Sequence, residues 1–512
     1  MPVDSRHKQY DANSAKWDKC RVVVAGEDAV KAAGSKYLPM LGGQDTAEYE
    51  AYVQRAMFFA GSARTVDALV GMVFRKDPKI EYPKSRIKEL DTISANATPL
   101  EVFAKKTVEE VFEVGRYGVL LEMPAEESVA ALPYLCGYTT ESILDWHTDI
   151  KDGRQRLTQV RLAEKEVSKV DDFEVEEKEI IRVLSLSSGE DGKSVYTQQK
   201  YLKTTIKEDG KEIVEWVKHG SEITPKVRGV ALDYIPFVFI NVKSLSFDVE
   251  KPPILDMANV NLSLYRTSAD LEHGRHFTGL PTAWVAGFKL ESKLSIGSTI
   301  AWVSEEPNAH AGYLEFTGQG LQSLENAVKE KKEYMAILGA RLLESDKTGV
   351  EAAETLKTRK SSEGNVVASV AGTVEQGMNK VLEWYKDWAG ISSSEVKIEF
   401  NKDYTNVTLD PMMINSLMAA VQQGTISFDT FFHNMKKGEL YPDGRTMDEE
   451  FELIELGGPM KKGGPAMDLD DPDEEEEEEF DENGKPIKKK PPEEEEEEGE
   501  ESASGTGKPG TS

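Results

Sequence analysis

Apolar positions recur at close to a 3.6-residue period along Leu321–Leu343, where Leu321, Leu324, Val328, Met335, Leu338 and Leu342 fall on one helical face. A polar break at Ser345–Gly349 follows, and then a second helical pattern with Ala352, Ala353, Leu356, Val366, Val367, Val370, Val374, Met378, Val381 and Leu382. The same period predicts a helix over Thr46–Phe74, with Val66, Leu69, Val70 and Val73 on one face and Asp77-Pro78 ending it. Another is predicted over Thr98–Val114, where Thr98-Pro99-Leu100-Glu101 reads as a capping box with proline in the first turn. Gly115–Gly118 then turns the chain into a strand at Val119–Met123. Pro252-Pro253 opens a further helix, Ile254 to about Phe277. Residues 1–45 are polar, with short helical patches.

Between Arg154 and Val242 the pattern changes to short alternating runs: Thr158–Leu162, Ile180–Leu186, Ser194–Gln198, Glu212–Val217 and Pro236–Val242. Turns such as Ser188–Gly192 and Glu208-Asp209-Gly210 join them, which predicts an antiparallel sheet with one wet face. Pro281–Thr317 reads as a small β unit between two long helices, with runs at Ala283–Ala286, Ser298–Val303 and Ala311–Phe316. A strand at Glu395–Phe400 and a helical region from Asp410 to about Leu456 follow. The fold class predicted is α+β.

Composition changes this picture mainly at the end of the chain. The formal charge of the 512 residues is −30, and half of it sits in Asp468–Ser512, which holds 20 acidic residues and 5 lysines. The runs Glu474–Glu479 and Glu493–Glu498 predict a disordered tail from Gly457 onward. An acidic body argues against general duplex binding through a basic patch, though not against a pore through which DNA slides. Two isolated cysteines, Cys20 and Cys136, make no disulfide framework and point to folding in a reducing compartment. A polar start and the lack of any long apolar run predict a soluble product.

Candidate chemistry is sparse. Gly189–Ser194 has the end of a phosphate loop, but Ser187 stands where the motif needs glycine and a β-type run follows, so a hairpin turn is the reading preferred. His273 and His276 lie three apart near a helix end, close to Asp270 and Glu272, which could place two metal ligands on one face. A basic helix C-terminus carrying Arg275 is the blander reading and the one preferred. Neither HExxH nor GxSxG occurs, and no catalytic residue, metal or cofactor is assigned. Lys329, Lys331 and Lys332 interleave with Glu330 and Glu333 as a solvated helix face does. Lys357, Arg359 and Lys360 form a cluster with no acid inside it, suited either to phosphate contact or to a salt-bridged helix surface. Trp284 and Trp302 suit a small core, with a subunit contact as the alternative.

The order of these parts resembles the portal proteins of tailed bacteriophages, and the sequence resembles a portal-like family of phage structural proteins. The likeness rests on Tyr37–Gly43, Arg64–Arg75, Gly115–Gly118 and Gly274–Thr282, and spans roughly residues 35–455. What it implies is a ring of about twelve copies at one capsid vertex, with DNA packaged and ejected through the centre. Residues 1–250, with about 365–405, would build the wing. Residues 251–280 and 319–344 would be the stem helices, 281–318 the clip, 345–350 the tunnel loop, 351–408 a long helix and the wing's return strand, 409–456 the crown and 457–512 the acidic tail. Asp346, Lys347, Thr348, Lys357, Arg359 and Lys360 would face DNA, and Trp284 and Trp302 would lie at the clip's subunit interface. Implied partners are further copies of the chain, the terminase motor, the major capsid and scaffold proteins, the head–tail adaptor and duplex DNA, with no membrane. The implied location is the virion, after assembly in the host cytoplasm. The chain would not be an enzyme, since the motor is a separate protein. Competing readings are a metal-dependent enzyme using His273 and His276, and a monomeric adaptor with an acidic tail.

Overall fold

The computed structural model describes residues 2–124, 132–169, 171–188, 194–208, 211–279, 282–288, 294, 301–314, 319–342, 366–392, 396–401, 411–437, 440–441 and 445–455. They fall into two compact units, divided between residues 406 and 407. The first is an α+β body with antiparallel sheets.

The first unit opens with helices, not with short patches. α1 (Lys8–Ala25) buries Tyr10, Trp17, Cys20 and Val23, and α2 (Glu27–Ala32) follows it. The single helix predicted over 46–74 is two, α3 (Thr46–Arg55) and α4 (Gly61–Val73). A capping box does occur, but at Asp45 and Glu48: the Glu48 N–H donates to Asp45 and the Asp45 N–H donates back. After the short strand β1 (Lys79–Glu81) comes α5 (Leu100–Val114). Thr98 is not its cap, because its hydroxyl and N–H are both bonded to the Ser94 hydroxyl; Pro99 holds the N-cap position without a side-chain bond. Gly115 ends α5 in the left-handed region, at φ 83°.

The chain then enters β2 (Arg116–Glu122), all seven residues of which are buried. β3 (Tyr134–Thr139) lies along one side of it. β4 (Ile143–Lys151), β5 (Arg154–Lys169), β6 (Val175–Ser188), β7 (Ser194–Glu208) and β8 (Lys211–Ile223) form a five-stranded antiparallel meander. Residues 189–193 lie outside the described residues, but Ser188 stands opposite Ser194 and a strand follows, as the hairpin reading requires and a phosphate loop does not. Two short strands, β9 (Lys226–Val227) and β10 (Val230–Ala231), lead to β11 (Phe237–Asn241). The sequence pattern grouped this last run with the meander. The structure instead pairs it with β2, in a three-stranded sheet ordered β11-β2-β3 whose β11 and β2 are buried on both faces.

α6 (Leu255–Gly279), the hairpin β12 (Thr282–Ala286) with β13 (His310–Leu314), and α7 (Gln319–Arg341) come next. α8 (Val366–Trp388) carries the apolar face read from the sequence, burying Val367, Val370, Val374, Met378, Val381 and Leu382. It packs on β11, where Gly377 lets the Ile240 side chain approach so closely that a Cβ would stand 2.6 Å from it. β14 (Lys397–Glu399) pairs with β1, a partner the sequence pattern did not reveal. One continuous core joins α1, α4, α5, α6, α8 and the three-stranded sheet.

The second unit holds α9 (Pro411–Gln422), α10 (Phe428–Lys437) and α11 (Met447–Glu455), in the stretch read as helical. Phe428 packs against Phe431 and Phe451, and Arg445 pairs with Glu450. The acidic tail lies outside the described residues.

Candidate assembly site

α6 and α7 run antiparallel. Gly274 meets Leu321, Thr267 meets Lys331 and Met257 meets Gly339, so ascending positions on one helix match descending positions on the other. Met257 and Leu264 face Met335, with Val260, Val328 and Leu338 packed around them. α6 has a second apolar side, where Ala258, Leu262, Tyr265 and Ala269 belong to the core of the body. A helix buried on two sides is anchored over its first turns. Its last turn, with Phe277 exposed, carries the chain toward the hairpin.

Polar contacts lock the pair. Arg275 reaches Glu272 on its own helix and Glu325 on α7, each at 2.8 Å. Its role is therefore a bridge between helices as well as a basic helix end. Lys331 donates to the Ser263 carbonyl and to the Thr267 hydroxyl. Burial, with Arg266 nearby, pushes the Lys331 ammonium below its ordinary value. Lys332 lies over the Phe59 ring, and Lys329 stands 4.0 Å from Glu333. The lysine-rich stretch is thus only partly the solvated face its spacing predicts.

The hairpin at the far end is a two-stranded sheet, a unit that is marginal in water without a third strand or a covering helix. Trp284 lies over Gly312, where a Cβ would stand 3.0 Å from the indole nitrogen. Even so Trp284 is 46% exposed, so it is not the core residue preferred from the sequence. Trp302 is half-buried in irregular chain, not in the strand predicted over Ser298–Val303, of which 298–300 lie outside the described residues. Tyr313 and Val303 add to the exposed apolar surface here, which sequence reasoning did not single out.

Asp346, Lys347, Thr348, Lys357, Arg359 and Lys360 all lie outside the described residues, as does the predicted break at 345–349. His273 stands within 3.5 Å of the Arg55 guanidinium and packs edge-on against Tyr52 and Phe277. Burial, with Arg55 adding to it, lowers its pKa. His276 packs on Phe277. A guanidinium at that distance opposes a divalent cation. Among the described residues no three His, Cys, Asp or Glu side chains are grouped to hold a metal. Nor, among them, is any helix long and apolar enough to cross a membrane.

A family model described as a domain of unknown function, DUF4055, matches residues 253–389, the stretch from α6 through α8. No curated protein matches the sequence. Among solved structures, the chain is similar to one in the neck of an empty GTA particle with C6 symmetry, at 11% identity and TM-score 0.35, covering 85% of this chain and 99% of that one. It is also similar to one in the neck of a native GTA particle with C12 symmetry, at 12% identity and TM-score 0.34, covering 79% of this chain and 96% of that one. At such TM-scores the folds diverge too far to carry a function from one to the other.

Proposed function

We propose that this chain is a phage portal protein: a ring-forming head–tail connector whose centre passes DNA during packaging and ejection. The observation that carries the reading is the helical pair of α6 and α7. It is rooted in the body, stiffened by Arg275 and Lys331, and ends in a two-stranded hairpin with exposed aromatic residues. A hairpin too small to be self-sufficient, held out on paired helices, fits a part completed by neighbouring copies. On this reading Trp284 and Trp302 meet the next subunit. Residues 281–318 dock the terminase and then the tail adaptor, and Lys347, Lys357, Arg359 and Lys360 face the DNA. The chain itself catalyses nothing; the motor hydrolyses ATP, and the ring sits in the virion with capsid and scaffold proteins around it.

Light scattering after gel filtration, followed by negative-stain imaging, tests this. The expected result is a ring of about twelve chains with a central hole. A mass of one chain at every concentration, persisting on co-expression with the capsid scaffold, overturns it.

A further inference from the structure

The β5–β6 hairpin, flanked by β7 and β8 where Lys203 pairs with Glu179 and His219 with Glu166, runs out to an exposed turn. Past Leu162 on β5, and before Ile180 on β6, none of the described residues of the two strands is buried. At about 3.3 Å per residue the hairpin therefore extends ~20 Å past its last buried position. Lys169 pairs with Val175 at its end, and Phe173 in the turn is 99% exposed. The turn is closed: the Asp171 carboxylate accepts the N–H groups of Phe173 and Glu174, each at 2.8 Å. Asp171, Asp172 and Glu174 surround the ring with negative charge. A phenylalanine held in full solvent on a built turn gains nothing for its own chain.

The same chain carries a complementary hollow. Between α4 and α7 lies a groove of about 250 Å³, lined by Arg64, Ala68 and Met72 on one side and Met335, Ala336 and Ala340 on the other. The small side chains open it, and the methionines give it an adaptable apolar wall. A benzene-sized ring fits cavities of roughly 150 Å³. Arg64 makes no salt bridge among the described residues, so a cation is free at the groove to meet the acids of the turn. Phe173 does not fill the groove of its own molecule, since it is exposed.

We propose that the Phe173 turn of one copy seats in the α4–α7 groove of the next. The proposal rests on the ring reading above and adds the contact that would build the ring. Knob and groove are different surfaces, so the contact is heterologous and propagates from copy to copy until it closes.

Cross-linking of the full-length chain tests it. Both native thiols are poor nucleophiles: burial pushes Cys20 up to about 12 and raises Cys136 further. Phe173→Cys and Ala336→Cys variants are mixed and treated with a short bis-maleimide. The expected product is a cross-linked pair at least about tenfold more abundant in the mixture than in either variant alone. Phe173→Ser, changed at an exposed site, is expected to lower the solution mass of the assembly. If the unaltered chain forms rings, yet no cross-link forms and Phe173→Ser keeps the full mass, the knob contact is wrong and the ring stands. If the unaltered chain stays single even on co-expression with the capsid scaffold and no cross-link forms, both fall. Cross-linked pairs from chains that never close into rings support the contact and remove the ring.

Discussion

Asn261, in the second turn of α6, accepts hydrogen bonds from both the N–H and the hydroxyl of Ser62, at 3.2 and 3.0 Å. Its amide nitrogen donates to the Phe59 carbonyl at 2.8 Å. One fully buried side chain thus ties the last part of the break between α3 and α4, at Phe59, to the first turn of α4, at Ser62. The apolar residues Met57, Phe58 and Phe59 in that break would otherwise continue the helix.

Asn261→Leu leaves the Ser62 N–H and hydroxyl without their partner, while the Phe59 carbonyl keeps the Gly61 N–H at 2.8 Å. Each unpaired buried group costs roughly 1–3 kcal/mol. A drop of that size in unfolding free energy is expected from denaturant titration. Asn261→Asp should recover only part, because a carboxylate accepts from Ser62 but cannot donate to Phe59. Equal stability of the leucine variant and the parent chain would show that the start of α4 is held by something else.

Gly115 combines a left-handed backbone with a tight neighbourhood. A Cβ there would lie 3.2 Å from the Pro252 backbone and 3.3 Å from the Glu250 carbonyl oxygen. Neither neighbour is a side-chain tip that can swing away. Gly115→Ala is therefore expected to destabilise by roughly 1–3 kcal/mol, from strain at positive φ and from displaced backbone. Gly153 also has positive φ, 73°, but nothing lies within 4 Å of its Cβ position. Gly153→Ala should cost less, so the difference in melting temperature between the two variants isolates the crowding.

The helices that packing makes amphipathic could be read from the sequence, and those held by distant partners could not. In α8 valine, methionine and leucine recur along the inward side at Val367, Val370, Val374, Met378, Val381 and Leu382, so their spacing alone shows the buried face. In α1 the inward side mixes Tyr10, Trp17 and Cys20 with Arg21, which reaches buried carboxylates on α5, and the polar residue hides the period. The start of α4 is held by Asn261, about two hundred positions away, and that contact has no local signal. The exposure of Trp284 is likewise a tertiary fact: an aromatic residue in a short strand reads the same whether covered or bare. The hairpin strand over residues 283–286 was legible, since its apolar run stands between two helical patterns.

Arg116 is buried between two aromatic faces, with its guanidinium carbon 4.2 Å from the Trp146 ring centre and 4.1 Å from that of Phe239. Nη2 donates to the Phe247 carbonyl, while Nε and Nη1 have no hydrogen-bond partner. Burial lowers its pKa to about 9, opposed by the fields of Asp248 and Glu250. A cation so poorly hydrogen-bonded does less for stability than its shape does. Arg116→Met, which keeps an unbranched chain between the rings, is expected to match or exceed the parent stability. Arg116→Ala leaves a cavity and should lose about 2–5 kcal/mol. A methionine variant as unstable as the alanine one would mean that the cation–π stack is the dominant contribution.

Glu113 on α5 faces Arg21 of α1 at 2.8 Å, next to Glu110, Glu141 and Lys106. Burial outweighs the arginine contact, and the neighbouring Glu110 adds to it, so the Glu113 carboxyl is pushed up to about 7. The folded state therefore holds this proton more tightly than the unfolded chain, whose carboxyl titrates near 4.3. The sign follows from linkage. The stabilisation is fully present below the unfolded value and is lost as pH rises through about 7. A shift of this size corresponds to something on the order of 3 kcal/mol across that window. Glu113→Gln removes the titration and keeps an oxygen for Arg21 to donate to, while Arg21 retains Glu110 and Glu141. The variant is expected to melt higher than the parent at pH 8, with the gap closing as the pH is lowered toward 4. Melting temperatures of both chains from pH 4 to 8 provide the check. Parallel curves across the whole range would mean that Glu113 is ionised throughout and that Arg21, not burial, sets its charge.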